Sequence, residues 1–182
     1  RWRQVPSFCN MTIRPFHNNV SSLKKLAARD YEDLLQCALP VFEGLFENPV
    51  HDRFIQDLLF IMAEWHANAK LRMYTDSSLT CLQEATVSLG SKLRAFAKNI
   101  CPLYDTRELP SEVSARGRRR RKKGQGASGA QTSSTAPAPK KKLLSLITYK
   151  LHALGDYVNH IITFGTTDSY STQTVCSKSS NQ

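Results

Sequence analysis

The sequence predicts an all-α protein: a small antiparallel helical bundle, then a long, disordered basic linker, then one last helix. Three observations carry that reading. Apolar residues recur at helical spacing through most of the chain, no alternating strand pattern of useful length appears, and Gly, Ser, Pro and charge gather where the periodicity stops. A length of 182 residues leaves room for one ordinary core and an appendage.

Residues 1–20 show no periodicity and are expected to be an extended N-terminal segment; the bundle is expected over residues 21–115. Its first helix starts at Ser22, with Ser21 or Ser22 as N-cap and an apolar face of Leu23, Leu26, Ala27, Tyr31, Leu34, Leu35 and Ala38. Pro40 ends or kinks it, and Val41 to Phe46 continue after the kink. Pro49 suits the first turn of a second helix running to about Met73. Two apolar stripes run along that helix, Phe54, Leu58, Ile61, Trp65 and Ile55, Leu59, Met62, Ala69, Met73, as expected of a central helix with neighbours on two sides.

After the cap signal "TDSS", the residues Leu79, Leu82, Thr86, Leu89, Leu93, Phe96 and Ile100 alternate spacings of three and four. That seam fits antiparallel packing within the chain, and it also fits a dimeric coiled coil; the amphipathic helices beside it favour the first. Cys101-Pro102 closes it, and a short helical turn is expected after Pro110. Residues 116–142 hold no side chain larger than alanine among their apolar ones, so they cannot bury enough surface to offset chain entropy. Residues 143–165 form the last helix, with Leu143, Leu144, Ile147, Leu151, Leu154, Val158, Ile161 and Phe164 on its docking face and Gly165 as cap. Residues 166–182 form a polar tail.

The formal charge of +10 has a single source. Arg116, Arg118, Arg119, Arg120, Arg121, Lys122, Lys123, Lys140, Lys141 and Lys142 stand in a stretch without one acid, which leaves bases and acids balanced elsewhere. Such density draws phosphates through counterion release, and the clusters at 116–123 and 140–142 are similar to a split nuclear-import signal. Contacts to six phosphates would give a log–log salt slope of about −5, with little sequence preference. The plain alternative is a solvated spacer.

Other candidates are weaker. His152, Asp156 and His160 follow at i, i+4, i+8 and could share one helix stripe toward a metal, but no fourth ligand is near and a polar face explains them equally well. Glu43 with Glu47, and Asp52 with Gln56, read as solvated pairs; His66 reads as a boundary histidine and Cys37 as core. Five scattered cysteines without a paired motif point to reduced thiols, and no metal or cofactor is implied. Asn10 and Asn19 fit the glycosylation pattern without a secretory signal ahead of them, which makes both chance matches. The longest apolar run is Leu58 to Ala63, too short for a membrane span. No nucleophile elbow, phosphate-cradling glycine loop or HExxH appears, so no catalytic role is assigned.

Four stretches carry a family resemblance: "LKKLAARDYEDLLQCALPVFEGLF", "LLFIMAEWHANAKLRMYTDSSL", "YDTRELPSEVSARGRRRR" and "TYKLHALGDYVNHIITFGTTDSYSTQT". Between Pro15 and Thr174 the chain resembles transposon-encoded proteins of mushroom-forming fungi, of the Plavaka and KDZ transposase kind. The resemblance implies a transposase whose acidic residues hold two divalent metals on an RNase H-like core. This region corresponds to the helical part that follows or interrupts that core. It also implies an acidic Gly-Glu-Leu-Glu-His continuation after Thr174, where this chain reads "VCSKSSNQ". No catalytic residue therefore carries over. The expectation is a truncated, non-enzymatic transposase remnant, nuclear or else cytoplasmic, that binds DNA or RNA weakly and nonspecifically through residues 116–142. A helical protein-interaction module is the alternative. An active nuclease, which would need Asp156 or Asp168, ranks below both.

Overall fold

The computed structural model describes residues 1–6, 13, 15–20, 23, 26–124 and 138–169, the stretch 121–124 by its backbone alone. The expected caps Ser21 and Ser22, residues 125–137 of the linker, and the tail from residue 170 lie outside them. The described chain is all-α: its named elements are helices, and the isolated antiparallel bridge between Arg107 and Lys141 belongs to no strand. It divides into two compact units, Arg1–Phe96 with Leu146–Gln182, and Ala97–Ser145.

In the first unit, α1 (Ala28–Gln36) and α2 (Ala38–Phe42) meet at Cys37. Pro40 was expected to end or kink the first helix; the break falls earlier, at Cys37, and Pro40 sits inside α2. Its position lies in the first turn, where an amide would have no intrahelical acceptor, so the missing N–H costs nothing. The expected continuation to Phe46 fails because Gly44 takes a left-handed φ of +59°. The amides of Gly44, Leu45 and Phe46 all donate to the Asp52 carboxylate, at 3.1, 3.1 and 3.3 Å. Asp52 is thus a loop anchor rather than a solvated acid. The start of the N-terminal segment is docked rather than extended: Trp2–Gln4 is a 3₁₀ turn, and the Arg1 guanidinium donates to the carbonyls of Val41, Glu43 and Gly44, while residues 7–12 and 14 lie outside the described residues.

α3 (Pro49–Ala69) begins as expected, with Pro49 in its first position and the Asn48 side chain accepting from the Val50 amide. It ends at Ala69, short of Met73, and Thr167 caps that end by donating to the Ala69 carbonyl at 2.9 Å. α4 (Asp76–Ala95) starts at Thr75, which forms a reciprocal capping box with Ser78. Phe54 stacks on Phe96, Asp57 pairs with Lys92, and Trp65 meets Thr86, so α3 and α4 run antiparallel. Their shared seam buries Leu58, Trp65, Leu82 and Leu89, and Leu82 is sealed from solvent altogether. The indole N–H of Trp65 donates to Thr86 at 2.8 Å, which passes the bond on to the Leu82 carbonyl.

The expected last helix is broken into α6 (Tyr149–His152), a 3₁₀ turn (Ala153–Asp156) and α7 (Tyr157–Phe164). Gly155, a poor helix former, sits in the tightened turn. Residues 143–148 are not helical, and the Lys142 carbonyl that such a helix would need is taken by the Thr106 hydroxyl at 2.7 Å. α7 still docks: Ile161 joins the core, Tyr157 meets the Trp65 ring edge-on at 4.9 Å, and Gly165 ends the helix at φ +88°.

Candidate nucleic-acid interface

Within the second unit, α5 (Pro110–Gly124) carries most of the basic residues, and its start is set locally. Pro110 fills the first helical position, and the Leu109 amide donates to the Glu112 carboxylate at 3.0 Å, one half of a capping box. The Ser114 hydroxyl donates back to the Pro110 carbonyl. The returning chain pairs with the residues ahead of the helix: Glu108 N–H donates to Lys140 C=O at 2.9 Å and Lys142 N–H to Thr106 C=O at 2.8 Å.

Glu108 is the hub. Its carboxylate accepts from Arg116 through Nε and Nη2, the latter at 2.7 Å, and from the Lys140 amide at 2.9 Å. Arg116 Nη2 also donates to the Ala138 carbonyl at 2.8 Å. One arginine therefore ties the helix to both chains of the bridge. Glu112 holds Lys142 at 3.0 Å. The Arg116 guanidinium and the Lys140 amide hold the Glu108 carboxyl below its ordinary range, and the Leu109 amide with Lys142 does the same for Glu112.

The described ends of the span 116–142, which was expected to be disordered, are ordered: Arg116 to Lys123 are helical, and Lys140 and Lys142 are hydrogen-bonded to Glu108 and Thr106, while residues 125–137 lie outside the described residues. Counting buried apolar surface missed the anchor, because Glu108 and Glu112 lie just ahead of the acid-free stretch and supply charge where hydrophobic burial is absent. The helix C-terminus also favours cations through its dipole. Arg118, Arg119 and Arg120 are exposed and carry no ion pair among the described residues. Lys140 and Lys141 are exposed as well. Arg121, Lys122 and Lys123 continue the helical backbone. An open concavity of about 430 Å³ is lined by Glu108, Glu112, Arg116, Arg119, Arg120 and Lys142.

The remaining candidates stay apart. His152, Asp156 and His160 are all exposed, and the 3₁₀ turn between α6 and α7 breaks the register that would align them. Among the described residues no three His, Cys, Asp or Glu side chains converge as metal ligands. Asp168 accepts from the Thr166 hydroxyl in the turn that caps α3. His66, on α3, faces α1, with Nε2 at 3.8 Å from Glu32, which also pairs with Lys70 at 2.7 Å. Burial pulls the His66 pKa down despite Glu32. Cys37 is buried, and burial pushes its thiol up. Leu82 and Leu89 of the heptad-like seam are consumed inside the first unit. No described helix is long and apolar enough to cross a membrane. Set against known protein families, curated proteins and solved structures, the chain matches none.

Proposed function

We propose that this chain is a non-catalytic helical remnant related to fungal transposases, whose one activity is weak, nonspecific nucleic-acid binding through residues 116–142. The observation that carries the binding is the exposed run Arg118, Arg119, Arg120 on a formed helix, without acidic partners among the described residues. An unneutralised cationic helix attracts any polyphosphate, and the gain comes from released counterions rather than base reading. The transposase relation is supported by the four sequence stretches that resemble that family. A nuclear location follows from the split basic clusters read as an import signal.

We assign no catalytic role: Asp156 and Asp168, the acids an active nuclease would need, are exposed, and among the described residues no three His, Cys, Asp or Glu side chains converge. The interaction-module reading, which would use the seam from Leu79 to Ile100 or the face of the last helix, keeps less support, because Leu82 and Leu89 of the seam and Ile161 of the last helix are buried in the core of the first unit. Fluorescence anisotropy with a labelled duplex at low and high salt tests the binding. Replacing the ten basic residues of 116–142 by Ser or Gln should abolish it, and affinity that survives the replacement overturns the proposal.

A further inference from the structure

The ten basic residues are chemically alike but not structurally alike. We infer that Arg116 and Lys142, held by Glu108 and Glu112, form a clasp that positions α5, while Arg118, Arg119 and Arg120, spread around the helix, are the cations that meet the phosphates of double-helical DNA. This rests on the nucleic-acid reading above and divides its charges by role.

The division follows from electroneutrality. Arg116 is only 21% exposed and makes its bonds to Glu108, itself 11% exposed. If Arg116 turned to a phosphate, the abandoned carboxylate would recruit a cation from solution, so the pair as a whole would release no net counterion. The same holds for Lys142 and Glu112. Among the described residues Arg118, Arg119 and Arg120 make no ion pair; Arg119 and Arg120 line the same concavity as Glu108 and Glu112, but those carboxylates are already engaged by Arg116 and Lys142.

Duplex geometry fits these cations better than a single strand does. At 3.6 residues per turn, Arg118 lies about 160° around α5 from Arg120. Cations on opposite sides of one helix suit a groove with phosphate on both walls, and an α-helix about 10–12 Å across matches a B-form major groove about 12 Å wide. Ser114, Ala115 and Gly117 keep the N-terminal half slim. Single-strand binding relies on aromatic stacking, and residues 105–148 contain no Phe, Tyr or Trp. The deep, narrow major groove of A-form RNA excludes a helix. Glu108 and Glu112 are then positioning residues, holding the start of α5 against the returning chain.

The test compares two variants of the whole chain that remove different sets. R118Q/R119Q/R120Q should reduce the magnitude of the log–log salt slope on a mixed-sequence DNA duplex by about 2.7, at about 0.9 per lost contact. E108Q/R116Q removes one acid and one base together; it should leave the slope unchanged, weaken binding about two- to fivefold through a less ordered helix, and expose the Lys142 amide to hydrogen exchange. A slope that falls for E108Q/R116Q as it does for the arginine variant overturns the division. A Lys142 amide as protected in E108Q/R116Q as in the wild type overturns the clasp. Equal affinity for a single strand or an RNA duplex overturns the choice of ligand. Absence of any salt-sensitive binding by the wild-type chain overturns the function itself and this assignment with it, an outcome distinct from the other three.

Discussion

The unit built from residues up to Phe96 and from Leu146 is held by side chains that have left water; the unit from Ala97 to Ser145 buries one apolar side chain among its described residues, Ile100, and its helix is tied by charges that remain nearer water. In the first, Leu58, Leu82 and Leu89 interlock between α3 and α4, and the polar group they enclose, the Trp65 indole, has a partner. In the second, Glu108 and Glu112 connect a helix to a returning segment through ion pairs and backbone hydrogen bonds. Burial of apolar surface responds weakly to ionic strength, whereas an exposed ion pair such as Lys142 with Glu112 is screened within a Debye length of about 8–10 Å, and the more enclosed Arg116–Glu108 pair less so. The same chain should therefore answer salt in one unit and cavity-forming substitutions in the other.

The largest effect is expected at Leu82, which has no exposed surface. L82A removes three buried carbons from a packed seam and should lower stability by about 2–5 kcal/mol in urea denaturation, equally at low and high salt. A loss below about 1 kcal/mol, or one that vanishes in salt, would show that the seam is not the support described here. A smaller effect is expected from T86V, which keeps the shape but deprives the Trp65 N–H of its acceptor at 2.8 Å. Leaving that donor unsatisfied should cost about 1–3 kcal/mol, with a change in Trp65 fluorescence. W65F/T86V removes both partners and should recover part of that loss beyond the cost of the smaller ring, which a double-mutant cycle measures.

How far each unit could be read from the sequence follows the same divide. The α4 seam was legible because burial leaves a period: Leu82 and Leu89 were placed by spacing, and Thr75 and Ser78 by cap chemistry. Pro49 marked the start of α3, while its Asn48 cap emerges only in the structure. Ion pairs leave no period. Nothing in "TRELPSEVSARG" says that Glu108 will meet Arg116 eight positions on, or that Lys140 will return to the same carboxylate from 32 positions away. The Asp52 anchor was missed likewise, since its three amide partners belong to a loop whose shape depends on Gly44. The basic stretch was legible as composition, and its division into held and free cations was not.

Acid should separate the two units by the smallest effect, because each contains groups whose titration favours the folded state at neutral pH. His66 has its pKa drawn below the ordinary 6.5 by burial, so the unfolded chain takes up the proton first. Its contribution is complete above pH 6.5 and declines as pH falls through the window below that value. Glu108 and Glu112 are depressed from 4.5, so theirs is complete above pH 4.5 and is lost only as pH falls through their lowered values. Between about pH 6.5 and 4.5, then, the helical unit should lose a little stability while the clasp stays closed. The urea midpoint of the first unit should drift down across that range and flatten in H66Q, while protection of the Lys142 amide, corrected for the intrinsic pH dependence of exchange, should hold. If protection at Lys142 falls in step with the His66 titration, the clasp is not carried by its carboxylates, and the contrast between the two units loses its electrostatic basis.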